Sequence, residues 1–274
     1  MFWTRFVSSI VLVVIALITL IFGGPLLAGV TFFISLVGYM ELCRATGILP
    51  AGKKMNAPAV VGILGVAAYY AGIFFTDSEL LAIVAVIGVF MGIMCVYVFT
   101  FPKYRAEQIM AGFFNFVYAP VMLSFIYLTR ELPYGKYLVW LILISSWGCD
   151  TCAYLVGICI GKKKIFPVLS PKKSLEGCIG GVVGAGLLGA AYGFFVMENA
   201  VAVEMVTLIV AFICMAGAVM SQVGDLAASA IKRNHEIKDY GKLIPGHGGI
   251  MDRFDSVIVT APMIFFLAAL LIKA

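Results

Sequence analysis

Apolar stretches of about twenty residues recur along almost the whole sequence, at 6–23, 25–42, 57–75, 80–100, 109–128, 137–160, 177–197, 201–223 and 250–272. A helix needs about 20 predominantly apolar residues to cross a bilayer. The pattern therefore predicts an all-α, polytopic integral membrane protein with about nine transmembrane helices. Composition agrees, with 63% of the 274 residues apolar, 12% charged and a mean hydropathy of +1.08, whereas soluble domains have roughly 45–50% apolar and about 25% charged residues. The 13% aromatic content excludes a disordered chain. The first run, Phe6 to Phe22, exceeds the roughly 7–15 apolar residues of a signal-peptide core and is read as a retained helix.

Lysine and arginine concentrate in cytoplasmic loops. With the N-terminus inside and nine crossings, 16 of the 19 basic residues fall on the inner side, and Arg130, Lys136 and Lys273 fall outside. This asymmetry predicts an N-in, C-out topology; the expected location is a bacterial-type inner (plasma) membrane, with the site facing the cytoplasm. Residues 1–136 supply about five helices without chemical motifs. Residues 137–274 supply about four more, with two inner loops, 161–176 and 224–249, that carry nine of the nineteen basic residues. The net charge of +5 is small; set on one membrane face it suits anionic lipids or phosphates, and no nucleic acid. The seven cysteines lie mostly inside apolar runs and read as reduced core residues.

A carboxylate placed in hydrocarbon costs roughly 2.5–3.5 kcal/mol on insertion scales, so each one is a functional candidate. Four stand out: Asp150 within helix six, Asp225 at the end of helix eight, and Asp252 and Asp255 in the first turns of helix nine. The last two are spaced i, i+3 and share a helix face, where like charges repel unless a cation lies between them. Oxygen ligands of this kind suit Mg²⁺, which takes one or two carboxylates plus substrate phosphates.

The segment 232–249 supplies the complementary charge. Lys232, Arg233 and Lys238 offer donors for phosphate oxygens. Pro245 and the glycines around His247 (Gly246, Gly248 and Gly249) force a tight backbone just before helix nine, whose N-terminus is an expected anion site. Other signals carry less. Gly184-Ala185-Gly186-Leu187-Leu188-Gly189 fits a dinucleotide fingerprint, but no strand precedes it. Gly177, Gly181, Ala185, Gly189 and Gly193 instead form a small-residue face for close helix approach. Cys149 and Cys152 mimic a CxxC pair without a second ligand pair.

The run Ser229-x2-Lys232-Arg233-x4-Lys238-Asp239-x-Gly241-x2-Ile244-Pro245-x-His247-Gly248-Gly249-x2-Asp252-Arg253-x-Asp255 resembles the signature of phosphatidate cytidylyltransferases, also called CDP-diglyceride synthases. Gln222-x-Gly224-Asp225-Leu226, Asp150-x2-Ala153-Tyr154-x2-Gly157 and Ser170-Pro171-Lys172-Lys173-Ser174-x-Glu176-Gly177 resemble it as well. Leu175, where the family has an aromatic, and Cys152, where it has a smaller residue, depart from the pattern. The resemblance implies cytidylyl transfer from CTP to phosphatidate in the inner leaflet, giving CDP-diacylglycerol and pyrophosphate. It implies Mg²⁺ as cofactor, with a second cation admissible.

Carried over by motif position, the metal site comprises Asp225, Asp252 and Asp255, with Asp150 as an additional ligand or a residue beside it. Lys232, Lys238 and His247 join the three aspartates as catalytic candidates. Lys172, Lys173, Ser174, Arg233, Gly248, Gly249 and Arg253 are expected to bind substrate. The resemblance, with the glycine face on helix seven, favours a homodimer among membrane lipids. The alternatives are another CTP-dependent membrane lipid phosphotransferase or kinase and, further off, a transporter of an anionic substrate. The DGxxAR pattern of CDP-alcohol phosphotransferases is absent around Asp225, and the acids lie at one end of the helices rather than at the midplane a transporter would use.

Overall fold

A computed structural model describes residues 2–49, 55–75, 79–244, 246 and 248–272. Nine helices run through them: α1 (Phe2–Phe22), α2 (Gly24–Ala45), α3 (Ala57–Phe75), α4 (Glu79–Phe99), α5 (Ala106–Glu131), α6 (Gly135–Ile160), α7 (Leu175–Met197), α8 (Val206–Asn234) and α9 (Met251–Leu271). Among the described residues, eight of these, α2 to α9, are long and apolar enough to cross a membrane, and α1 holds a further apolar stretch that includes Ile10–Phe22. The chain is an all-α, multi-pass membrane protein.

The observed helices follow the apolar runs, with one sizeable difference. The sequence reading opens an inner loop at 224, but α8 continues to Asn234. Ala227, Ala228 and Ala230 are strong helix formers, so the helix outlasts its apolar window and Lys232 and Arg233 sit in its last turn. Three helices also contain a widened turn, at Val117–Val121 in α5, Ile144–Gly148 in α6 and Gly193–Met197 in α7. In α5 the cause is Pro120, which has no N–H for the regular ladder.

The chain divides into two compact units. The first comprises residues up to Ser124 together with Asn234–Arg253. Its core gathers Tyr39, Val66, Tyr69, Tyr70, Ile93 and Phe116 from α2 to α5. In hydrocarbon, polar tips gain from partners on neighbouring helices. Accordingly Ser35 and Tyr70 hydroxyls meet at 2.6 Å, Tyr69 and Ser124 at 3.0 Å, and Asn115 Nδ2 donates to Thr46 Oγ1 at 2.9 Å.

The second unit comprises Phe125–Arg233 and Phe254–Ala274. Here the small-residue face of α7 brings three helices together. A Cβ at Gly181 would lie 2.9 Å from Ala153 Cβ and from Cys149 Sγ on α6, and one at Gly189 would lie 2.7 Å from Cys214 Sγ on α8. The stripe that the sequence reading offers to a second copy is thus engaged inside the chain, and the expected homodimer rests on the family resemblance alone. All seven cysteines are free, Cys149 and Cys152 included.

Candidate active site

In the second unit, carboxylates from α6, α8 and α9 gather around two lysines. The loop before α7 delivers Lys173, and its own bonds hold it in shape. Glu176 accepts the backbone N–H of Lys162 at 3.0 Å and of Lys163 at 3.2 Å, Leu175 N–H donates to Lys163 O at 2.8 Å, and Lys164 Nζ donates to Lys172 O at 2.9 Å. Ser174, a candidate for substrate contact, caps α7 by accepting from Gly177 N–H at 3.2 Å. Closed in this way, the loop aims Lys173 Nζ at Asp225 Oδ2, 2.7 Å away.

Asp150 lies within electrostatic reach of both Asp225 and Lys173, and Asp255 within reach of Asp225, Asp150 and Lys232. Asp255 also accepts the backbone N–H of Ser256 at 2.8 Å. Three carboxyl groups therefore lie near two lysines. Gln222, one turn before Asp225 on α8, is buried and donates to Cys178 O at 2.9 Å, tying α8 to α7 beneath the cluster. Lys172 and Arg233 are exposed. Among the described residues, no three carboxylate, imidazole or thiol groups converge closely enough to enclose a metal ion by themselves.

In the first unit the segment before α9 is folded around two further carboxylates. Ile244 N–H donates to Gly248 O at 2.9 Å, closing a tight turn, and Gly248 takes a φ of 87°, where a side chain would be strained. A Cβ there would also lie 2.8 Å from Asp252 Oδ2. That oxygen accepts from Tyr240 N–H at 2.8 Å and from Gly249 N–H at 3.0 Å, with Asp252 only 6% exposed. Glu41, on α2, accepts from Ile250 N–H at 3.1 Å and from Met251 N–H at 2.9 Å. Lys238 and Arg253 are exposed. His247 and Pro245 lie outside the described residues.

The structure thus brings Asp150, Lys173, Asp225, Lys232 and Asp255 into one cluster. Asp252 shares a helix with Asp255, yet its Oδ2 is committed to loop amides. Of the amides at the start of α9 where a phosphate site is expected, those of Ile250 and Met251 are held by Glu41, and Gly249 N–H just before them is held by Asp252. Glu41, Glu176 and Gln222 escape the sequence reading as working residues. For Glu41 a signal existed, since an acid within an apolar span is the feature that singled out the four aspartates.

The chain is similar to three proteins named phosphatidate cytidylyltransferase. That of Staphylococcus saprophyticus is 29% identical over 264 residues, covering 95% of this chain and 96% of that protein. That of Bacillus subtilis is 39% identical over 137 residues, covering 50% and 49%. That of Rickettsia bellii is 35% identical over 167 residues, covering 60% and 71%. A family model described as the cytidylyltransferase family matches residues 3–271 of the 274, so the chain belongs to the cytidylyltransferase family.

Proposed function

We propose that this membrane protein transfers the cytidylyl group of CTP to phosphatidate, forming CDP-diacylglycerol and releasing pyrophosphate. The observation that carries the reading is the cluster of Asp150, Asp225 and Asp255 against Lys173 and Lys232. A phosphate oxygen of phosphatidate attacks the α-phosphorus of CTP, and the bond from that phosphorus to the oxygen bridging the β-phosphorus breaks. Phosphatidate is anionic near neutral pH, so its nucleophile needs no strong base. The barrier lies in bringing together two anions and stabilising charge that develops on the departing pyrophosphate. Lys173 and Lys232 supply positive charge, and exposed Lys172 and Arg233 in the same unit supply donors for approaching phosphates; the family resemblance adds Lys238 and Arg253 to the substrate-binding set.

Three carboxylates set against two lysines fit a divalent cation, because Mg²⁺ takes one or two carboxylates and completes its shell with phosphate oxygens and water. Asp225 and Asp255 would hold it with Asp150 beside them, and it would neutralise triphosphate charge. Asp252 serves by holding the Tyr240 and Gly249 amides. With the Ile250 and Met251 amides bonded to Glu41, phosphate recognition is assigned to the lysine and arginine side chains.

The distribution of basic residues supports a cytoplasmic face for this chemistry in a bacterial inner membrane, where CTP arrives from the cytosol and phosphatidate from the inner leaflet. The resemblance supports a homodimer. The test uses purified protein with phosphatidate, Mg²⁺ and CTP labelled at the α- or the γ-phosphate. Label from the α-position is expected in lipid and label from the γ-position in pyrophosphate. The reverse, γ-label in lipid, would make the protein a lipid kinase.

A further inference from the structure

Glu41 is a buried acid for which neither the motifs nor the proposed chemistry has a use. It lies on α2 and is 2% exposed. An ionised carboxylate in such a place carries a large desolvation cost unless its oxygens are matched, and here each accepts a different amide: Oε1 from Ile250 at 3.1 Å and Oε2 from Met251 at 2.9 Å. Those donors belong to the start of α9, where helix N–H groups lack partners within the helix and the dipole favours negative charge. The backbone closes over the carboxylate from both sides, for a Cβ at Gly241 or at Gly249 would overlap Oε1. Asp252 and Arg44 are the charged neighbours.

We propose that Glu41 is a positioning residue that clamps the first turn of α9, fixing the register in which that helix presents its acids. It acts through Asp252 and the helix, without touching substrate. Asp252 lies one residue beyond the clamped Met251 amide and holds Tyr240 and Gly249 in turn, so Glu41 and Asp252 form one relay from α2 to the loop. A change at Glu41 reaches Asp255 by rotating or sliding the helix that carries it. The inference rests on the proposed cytidylyl transfer, in which α9 contributes Asp255.

The test compares the full-length chain with Glu41→Gln, Glu41→Asp and Gly241→Ala in micelles containing phosphatidate. Glutamine keeps the volume but turns one acceptor into a donor facing an N–H. Amide hydrogen exchange in 240–253 is expected to quicken about tenfold or more in Glu41→Gln, as follows from losing a hydrogen bond to a charged acceptor, with α3 and α4 unchanged. Turnover per folded molecule should fall about tenfold with KM for CTP little altered, and Glu41→Asp, which keeps the charge, should recover part of it. Gly241→Ala should reproduce the faster exchange by pushing on the carboxylate. If Glu41→Gln fails to fold, Gly241→Ala and Glu41→Asp carry the comparison. Unchanged exchange at 250 and 251 in every variant, or a loss of turnover that merely tracks the folded fraction, would overturn the clamp. Absence of labelled lipid from the unmodified chain would instead overturn the reaction, while exchange still decides whether the clamp exists.

Discussion

Lys173 Nζ donates to Asp225 Oδ2 at 2.7 Å, joining the loop before α7 to the polar end of α8. The lysine side chain keeps 15% of its surface and the aspartate 34%, so the pair is neither a solvated surface bridge nor sealed from substrate. With Asp150 and Asp255 bearing on the same carboxylate, the ammonium is the closest counter-charge to Asp225 and remains near enough to water to exchange partners when a triphosphate enters.

Lys173→Met removes the charge and keeps most of the apolar stem. Cytidylyl transfer is expected to fall by the equivalent of about 2–4 kcal/mol, the scale of losing one donor to a developing oxyanion, or about tenfold for each 1.36 kcal/mol. Asp225→Asn should be of similar severity. Because the two act as a unit, the double variant should lose much less than the product of the single losses. Labelled CDP-lipid formed by each variant measures this, and fully multiplicative losses would place the residues in separate roles.

Asp252 and Asp255 are expected to fail in different ways. Asp252→Ala deletes the acceptor for Tyr240 and Gly249 N–H, so exchange of those amides should quicken and protease should enter 240–249 more readily. Asp255→Asn should abolish labelled product while leaving that segment as protected as before. Identical protection and identical activity losses in both variants would return them to a common role on one cation.

The helices were legible because length and hydropathy decide what can cross a bilayer, and the span expected at 57–75 is the observed α3. The cluster of Asp150, Asp225 and Asp255 was legible for the same reason, since acids stand out against apolar neighbours. The partner of each acid was not. An i, i+3 spacing puts Asp252 and Asp255 on one face but cannot show that Asp252 turns to amides of its own loop. Glu41 bonds Met251 across 210 positions, a pairing no local pattern reveals. The glycine stripe was legible as a packing face, but spacing alone did not say that α6 and α8 of the same chain cover it.

Gly181→Leu tests that packing. Its Cβ would lie 2.9 Å from Ala153 Cβ and Cys149 Sγ and 3.0 Å from Cys149 O, so α6 must move away from α7, and Asp150 adjoins Cys149 in sequence. Overpacking of this kind costs about 1–3 kcal/mol. A lower melting temperature and lower turnover are expected together, whereas Ile179→Val, at a residue 56% exposed on the same helix, should change neither.

Sidedness is tested independently of chemistry. With the N-terminus inside, an odd number of crossings puts the C-terminus outside and gathers 16 of 19 basic residues on the inner face. Single cysteines added at the two termini of a cysteine-free variant should therefore label from opposite sides with a reagent that cannot cross the bilayer: the C-terminal one in intact cells, the N-terminal one only after lysis. The cysteine-free background is chemically reasonable because all seven native cysteines are unpaired. A cysteine at Lys172 or Lys238, both on exposed loop positions, should label with the N-terminal set. Labelling of both termini from one side would mean an even number of crossings, and labelling of 172 and 238 from outside would put the basic loops where no cytosolic CTP can reach them.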